Sequence, residues 1–213
     1  MRTKREHLNA NRRILYLWLP NIALDRLKRM TKGQSAEKLS SNGMVIVRTE
    51  YGRRTIIATC PISEKLGIVV GWSLSDALAL HSKLLVAEID LLTDKMELTK
   101  LANWCGRYTP FVAFDESRKE VGERGLWLDI TGCAHLFGGE KKLLDNIIDR
   151  LCHIGLTARG AIADTPGAAW ALARFGELSS QIVKPGAQQA AIADLPLIGL
   201  RLSTSLVEDL SKV

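Results

Sequence analysis

The sequence predicts an α+β protein: a ferredoxin-like β-α-β-β-α-β core, with a small α/β segment inserted after its first strand. Three observations carry that expectation. Residues 13–19 (RILYLWL) are rich in aromatic and branched side chains, and Pro20-Asn21 stops the run, which marks a buried first strand. Beyond residue 93 the hydrophobic pattern changes in the order helix, strand, strand, helix, strand. Between these parts lie about 65 residues with strand and helix patterns of their own.

Within the insert, Asn21 can cap a helix over 22–30 whose Ala23, Leu27 and Met30 share a face. A polar loop, 31–42, leads to hairpin strands at 44–49 (MVIVRT) and 55–59 (TIIAT), joined through Tyr51-Gly52-Arg53-Arg54. A short helix at 62–66 stops at Gly67. The next starts at Ser73, where Ser-x-x-Asp76 resembles a capping box, and carries Leu74, Ala77 and Leu78. A strand at 84–88 follows.

In the core, Thr93 can cap a helix over 94–108 with Leu98, Leu101, Cys105 and Tyr108 on one stripe. Residues 111–115 form a strand, and 125–130 (GLWLDI) its hairpin partner. Leu143, Leu144, Ile147, Leu151 and Ile154 recur at helical spacing, with Gly155 where a C-terminal glycine belongs. A strand at 157–163 is next, and Asp164-Thr165-Pro166 opens a helix that closes at Gly176. No internal repeat or low-complexity segment interrupts the order. Many functions share this topology, so it selects none of them.

Composition bounds the class. The chain has 213 residues, 46% of them hydrophobic, enough for one sizeable core or two small ones. Its four cysteines, Cys60, Cys105, Cys133 and Cys152, stand far apart with no C-x-x-C pair, which argues against a zinc site or a disulfide framework and for a reducing cytoplasm. The apolar run after the basic start is too short for a signal core or a membrane span, so neither export nor a membrane partner is expected. Of the formal net charge of +6, residues 1–13 supply +4: Arg2, Lys4, Arg5, Arg12 and Arg13 against Glu6. Such a tail (1–12) can attract phosphate, but a solvated terminus is the simpler reading. Cys133 and His135 lack the further ligands zinc needs. Gly138-Gly139 lacks the P-loop lysine and reads as a turn into a helix.

Several runs tie the chain to a known family. Residues 57–77, from Ile57-Ala58-Thr59 to Asp76-Ala77, resemble the fingers segment of Y-family DNA polymerases, and Leu126-Trp127-Leu128-Asp129-Ile130 resembles the palm strand that carries their catalytic acids. The closer resemblance is to the ImuB type within that family. It rests on 13–20, on Trp104-Cys105-Gly106-Arg107-Tyr108-Thr109-Pro110, and on 125–139 (GLWLDITGCAHLFGG) with 164–173. The resemblance implies a discontinuous palm (13–20 and 86–185), fingers (21–85) and the start of a helical thumb (186–213). The family's little finger and clamp-binding tail are expected beyond residue 213.

The same resemblance implies a degenerate active site. Nucleotidyl transfer needs two divalent metals held by carboxylates on adjacent palm strands. The family's strand-one acid matches Trp18, and its later acid pair matches Arg124 and Gly125. The family's triphosphate contacts match Pro61, Glu64 and Glu177, where a carboxylate would repel the ligand. Independently of any family, 13–20 contains no acid. The expectation is therefore a non-catalytic subunit without cofactor, acting in DNA repair and damage-induced mutagenesis. By resemblance it would bind DNA and work with an error-prone C-family polymerase, a sliding clamp and a RecA-like accessory protein. The alternative is an active, Mg2+-dependent translesion polymerase that uses Asp115 and Glu116. Against it, Asp115 reads as the start of a solvated hairpin loop, and Asp129 as a structural hydrogen-bonding acid. Residues 194–201 resemble the start of a DNA-phosphate-binding helix-hairpin-helix, with Gly199 and Arg201 as contacts, although Arg201 stands where the family has a second glycine.

Overall fold

The computed structural model describes residues 12–30, 42–116 and 124–201. The expectations for the basic tail before Arg12, the loop after Met30, the middle of the 116–124 loop and the end of the thumb lie outside them.

The chain divides into two compact units, one of residues 1–20, 97–154 and 158–213, the other of 21–96 with 155–157. The first unit is built on a five-stranded sheet. Strands β1 (Ile14–Trp18), β5 (Val112–Phe114), β6 (Gly125–Asp129), β7 (Arg159–Ala163) and β8 (Ser180–Ile182) lie in the order β5-β6-β1-β7-β8. The first four have the strand order of a ferredoxin-like core. β1 is antiparallel to both β6 and β7, and buried on both faces, which is why its sequence is a continuous apolar run.

In the second unit, β2 (Met44–Glu50), β3 (Arg53–Thr59) and β4 (Leu85–Glu88) form a separate sheet in the order β3-β2-β4. Helix α1 (Ile22–Met30) and two short helices, α2 (Pro61–Lys65) and α3 (Leu74–Leu80), accompany it. Val45, Val47, Ile56, Ile68, Leu74 and Ala77 pack as one cluster, while Leu24, Met44, Ile46 and Cys60 pack as another, so alternate side chains of β2 serve the two faces. Ser73 caps α3 as expected, its hydroxyl accepting from the Asp76 amide.

Several boundaries move, each for a local reason. The hairpin turn is Tyr51-Gly52 alone, both residues at positive φ (50° and 77°), so Arg53 and Arg54 belong to β3. Helix α4 spans Leu91–Cys105, and Asp90 rather than Thr93 begins it, its Oδ1 accepting from the Thr93 amide at 2.9 Å. The second unit runs through residue 96, past the expected end of the insert at 85, and within it all of β4 pairs in parallel with β2, from Met44↔Leu85 to Val47↔Glu88. β7 starts at Arg159 rather than 157, since the Thr157 amide and hydroxyl are taken by Asp25 at 2.6 and 3.2 Å.

The core's remaining helices are α5 (Glu140–His153), α6 (Pro166–Phe175) and α7 (Gln188–Ile192). Leu143, Leu144, Ile147 and Leu151 form the buried stripe of α5, and Gly155 follows it at φ 78°. Thr165 caps α6, whose residues Ala168 to Ala173 are all buried. β8 and the 3-10 turn Ala134–Phe137 have no counterpart in the sequence expectation, whereas α7 and the 3-10 turn Leu197–Leu200 fall where the start of a helical thumb is expected.

One cation ties the core together. Arg13, 8% exposed, donates Nε and Nη2 to Glu140 at 2.6 and 2.7 Å, Nη1 to Asp164 at 2.6 Å, and Nη2 also to the Val183 carbonyl at 2.7 Å. Asp164 in turn accepts from the Gly186 amide at 2.7 Å.

Candidate functional site

Strand register decides what meets at the end of β1. Trp18 pairs with Gly125 of β6 on one side and with Arg159 of β7 on the other. Side chains alternate, so Ile14, Tyr16 and Trp18 share a face with Gly125, Trp127, Asp129, Ala161 and Ala163. Helix α6 packs on this face through Ala168, Ala169 and Trp170. Leu17 pairs with Gly160 and faces the other way, where a Cβ on Gly160 would strike Leu144 of α5.

At Gly125 the space of the missing side chain is already filled. A Cβ there would overlap the phenol of Tyr16. The Tyr16 hydroxyl donates to Asp115 Oδ2 at 2.5 Å, and the Trp170 indole N–H donates to the same oxygen at 3.0 Å. Arg174, one helical turn beyond Trp170, brings its Nη2 to 3.9 Å from that carboxylate. Its guanidinium lies over the Trp18 ring (5.1 Å) and the Trp170 ring (4.7 Å). Burial pushes the Tyr16 hydroxyl above the usual phenol range against the nearby Arg174 charge, and the bond to Asp115 pushes the same way, so it remains a proton donor.

This arrangement corrects the reading of Asp115 as part of a solvated loop. It is 4% exposed, because its amide donates to the Gly125 carbonyl and carries the chain inward past β5 to donors that satisfy a buried carboxylate. Glu116 beside it is exposed, so the acid pair is split. Arg124 donates to the Pro20 carbonyl at 3.2 Å. Asp129 accepts from the Thr131 amide at 3.1 Å and from Arg12 at 3.2 Å; burial pushes its pKa up, but these bonds hold it below the usual value.

The other expected positions are scattered. Pro61 opens α2, and Glu64 there accepts from the Thr59 hydroxyl at 3.0 Å. Both belong to the second unit, whereas Glu177 is exposed just past α6 in the first. Gly199 is buried, within contact distance of Ala171 and Phe175 of α6 for a side chain added there. Arg201 adopts φ 61°, the left-handed conformation a glycine would take, with its guanidinium 5.3 Å over Trp170. Among the described residues no three His, Cys, Asp or Glu side chains are grouped to hold a metal ion, Cys133 and His135 included. Gly138 and Gly139 have φ of 79° and 104° and form the turn into α5.

Tyr16, Trp170 and Arg174 escaped the sequence reading. Two signals were present: a tyrosine in an otherwise apolar strand needs an acceptor for its hydroxyl, and Trp170 and Arg174 stand four apart on one helix face. Restoring an acid at the glycine is expected to fail sterically. Gly125→Glu should lower stability by about 2–3 kcal/mol in urea unfolding by overpacking Tyr16. Adding Tyr16→Ala should recover part of that loss.

Beside the Tyr16 cluster, on the same face, lies a cleft of about 600 Å3. Ile14, Phe111, Ala113 and Trp127 line it, with Arg12, Asp129 and Arg201 also contributing.

The family model described as IMS: impB/mucB/samB family matches residues 32–174. The protein named ImuB from Caulobacter vibrioides strain NA1000 / CB15N is 46% identical over 148 residues, and the ImuB protein of strain ATCC 19089 / CIP 103742 / CB 15 matches equally. The alignment covers 70% of this chain and 31% of each relative, so the chain spans about a third of their length. Among solved structures, Dbh DNA polymerase in a post-insertion binary complex superposes with a TM-score of 0.74 at 11% identity, and DinB from Sulfolobus solfataricus with 0.65 at 12%. Each match covers 94% of this chain and 57% of the other. At such identities the likeness is one of fold: a Y-family palm and fingers.

Proposed function

The chain belongs to the impB/mucB/samB family, and we propose that it serves DNA damage tolerance and mutagenesis as a DNA-binding, polymerase-like component that does not itself polymerise. The observation that carries this reading is the packing of Tyr16, Trp18, Asp115, Trp170 and Arg174 around Gly125, where relatives by resemblance keep metal-binding acids. A divalent cation requires hard oxygen ligands. The residues here offer one buried carboxylate, whose Oδ2 is engaged by two donors, beside a guanidinium that would repel a metal ion. That set does not fit the two-metal centre of nucleotidyl transfer.

The cleft along the sheet supports DNA contact. Its aromatic floor and its two arginines suit bases and phosphates without reading sequence. The 46% identity to ImuB proteins extends the proposal to a scaffold role beside an error-prone C-family polymerase, a sliding clamp and a RecA-like protein. Labelled primer-template titrated at about 50 and about 200 mM salt should bind with little sequence preference and on the order of tenfold more weakly at the higher salt. Failure to bind at the lower salt would contradict the DNA-binding role.

A further inference from the structure

A basic pocket of about 380 Å3 lies in the first unit, lined by Arg107, Tyr108, Phe137, Lys142, Asn146 and Arg150. We infer that it is a second anion site, separate from the cleft, that takes a phosphate group of a nucleotide or nucleic acid.

Placement comes first. Lys142, Asn146 and Arg150 recur every four residues on the exposed side of α5, whose buried stripe packs on the Leu17–Gly160 face of the sheet. The pocket is therefore on the opposite side from Tyr16, Trp18 and Gly125. Arg107 and Tyr108 follow the end of α4, and Phe137 comes from the 3-10 turn before α5. Two of the runs that tie the chain to its family, 104–110 and 125–139, thus meet here, and the Tyr16 cluster uses neither Arg107 and Tyr108 nor Phe137.

The chemistry points to an anion. Three cations and no carboxylate line the pocket. Lys142 and the terminal nitrogens of Arg107 and Arg150 have no hydrogen-bond or ion-pair partner among the described residues; each arginine donates its Nε, to the Trp104 carbonyl (3.1 Å) and to Asn146 Oδ1 (3.1 Å), and the Arg107 guanidinium also lies over the Trp104 ring (4.9 Å). Asn146 Oδ1 also accepts from the Tyr108 hydroxyl at 2.8 Å, which leaves the amide's N–H groups as further donors. Neighbouring Lys141 is different, being paired with Asp145 at 2.8 Å. Two anchored guanidinium forks and a mobile ammonium match a multiply charged phosphate better than a single carboxylate. Tyr108 and Phe137, ring centroids 5.1 Å apart, give an apolar wall for the attached nucleoside.

The test is calorimetric titration of the whole chain with inorganic pyrophosphate, a 5′-phosphorylated oligonucleotide, its 5′-hydroxyl counterpart and poly-glutamate. Lys142→Gln and the Arg107→Gln/Arg150→Gln pair should each weaken pyrophosphate binding by on the order of tenfold or more, as loss of a charge-assisted hydrogen bond does. Lys142→Arg should restore it, and Lys141→Gln should leave it unchanged. A variant-sensitive preference for the 5′-phosphorylated strand makes a terminal phosphate the source; equal, variant-sensitive binding of both strands makes it the internal phosphodiester. Pyrophosphate and strand binding indifferent to these variants overturns the proposal, as does variant-sensitive binding of poly-glutamate alone.

Discussion

Asp115→Ala is expected to cost about 3–5 kcal/mol of folding stability, as removal of one member of a buried charged network does. Three groups depend on that carboxylate: the Tyr16 hydroxyl, the Trp170 indole N–H and the Arg174 guanidinium. Without it the two donors lose their shared acceptor in a buried setting, and Arg174 loses its counter-charge. Asp115→Asn keeps an acceptor oxygen and should cost less. The pH dependence separates this network from generic packing. Burial raises the Tyr16 hydroxyl above its ordinary value of 10.0, so its contribution is complete below the unfolded phenol's pKa and is lost as pH rises through the folded one. Urea unfolding at neutral pH and above pH 10 should therefore show the wild-type advantage over Tyr16→Phe shrinking only in the alkaline range.

Arg13→Met should be nearly as damaging, at about 3 kcal/mol or more, because the apolar replacement leaves two acids without their cation. Glu140 and Asp164 are both partly buried, and Arg13 reaches the Val183 carbonyl as well. The arginine joins the start of β1 to the start of α5 and to the ends of β7 and β8. Its loss should therefore unfold the core cooperatively, with hydrogen-exchange protection falling together at Leu15, Ile147 and Ile162. Arg13→Met combined with Glu140→Gln and Asp164→Asn should recover much of the penalty. Equal loss in the single and triple variants would show that the arginine acts by its bulk rather than its charge.

The core was legible because each element carries its own stop signal. Pro20 ends β1, Gly155 ends α5 at positive φ, and Thr165-Pro166 opens α6. The misplaced start of α4 has a physical cause: Leu91 and Leu92 are both exposed, so they add nothing to an inward stripe and hide the first turn. β8 is three residues long, and its parallel partner lies 20 residues earlier, from Gly160↔Ser180 to Ile162↔Ile182, so no local alternation marks it. At the candidate site, the absence of an acid from 13–20 and the glycine at 125 were plain in the sequence. What the sequence concealed was the fate of Asp115, because a buried carboxylate is defined by its donors. Those donors are Tyr16, 99 residues away, and Trp170, 55 residues away, brought together only by the sheet and α6.

Single-turnover primer extension tests the proposal that the Tyr16–Asp115–Arg174 cluster stands in place of a metal centre. The chain, with magnesium and then manganese, is given undamaged and abasic templates with all four nucleotides. No extension is expected from the wild type, from Trp18→Asp or from Gly125→Glu. Extension by the wild type that Asp115→Ala or Glu116→Ala abolishes, in protein shown to be folded at the assay temperature, would contradict it and establish an active translesion polymerase.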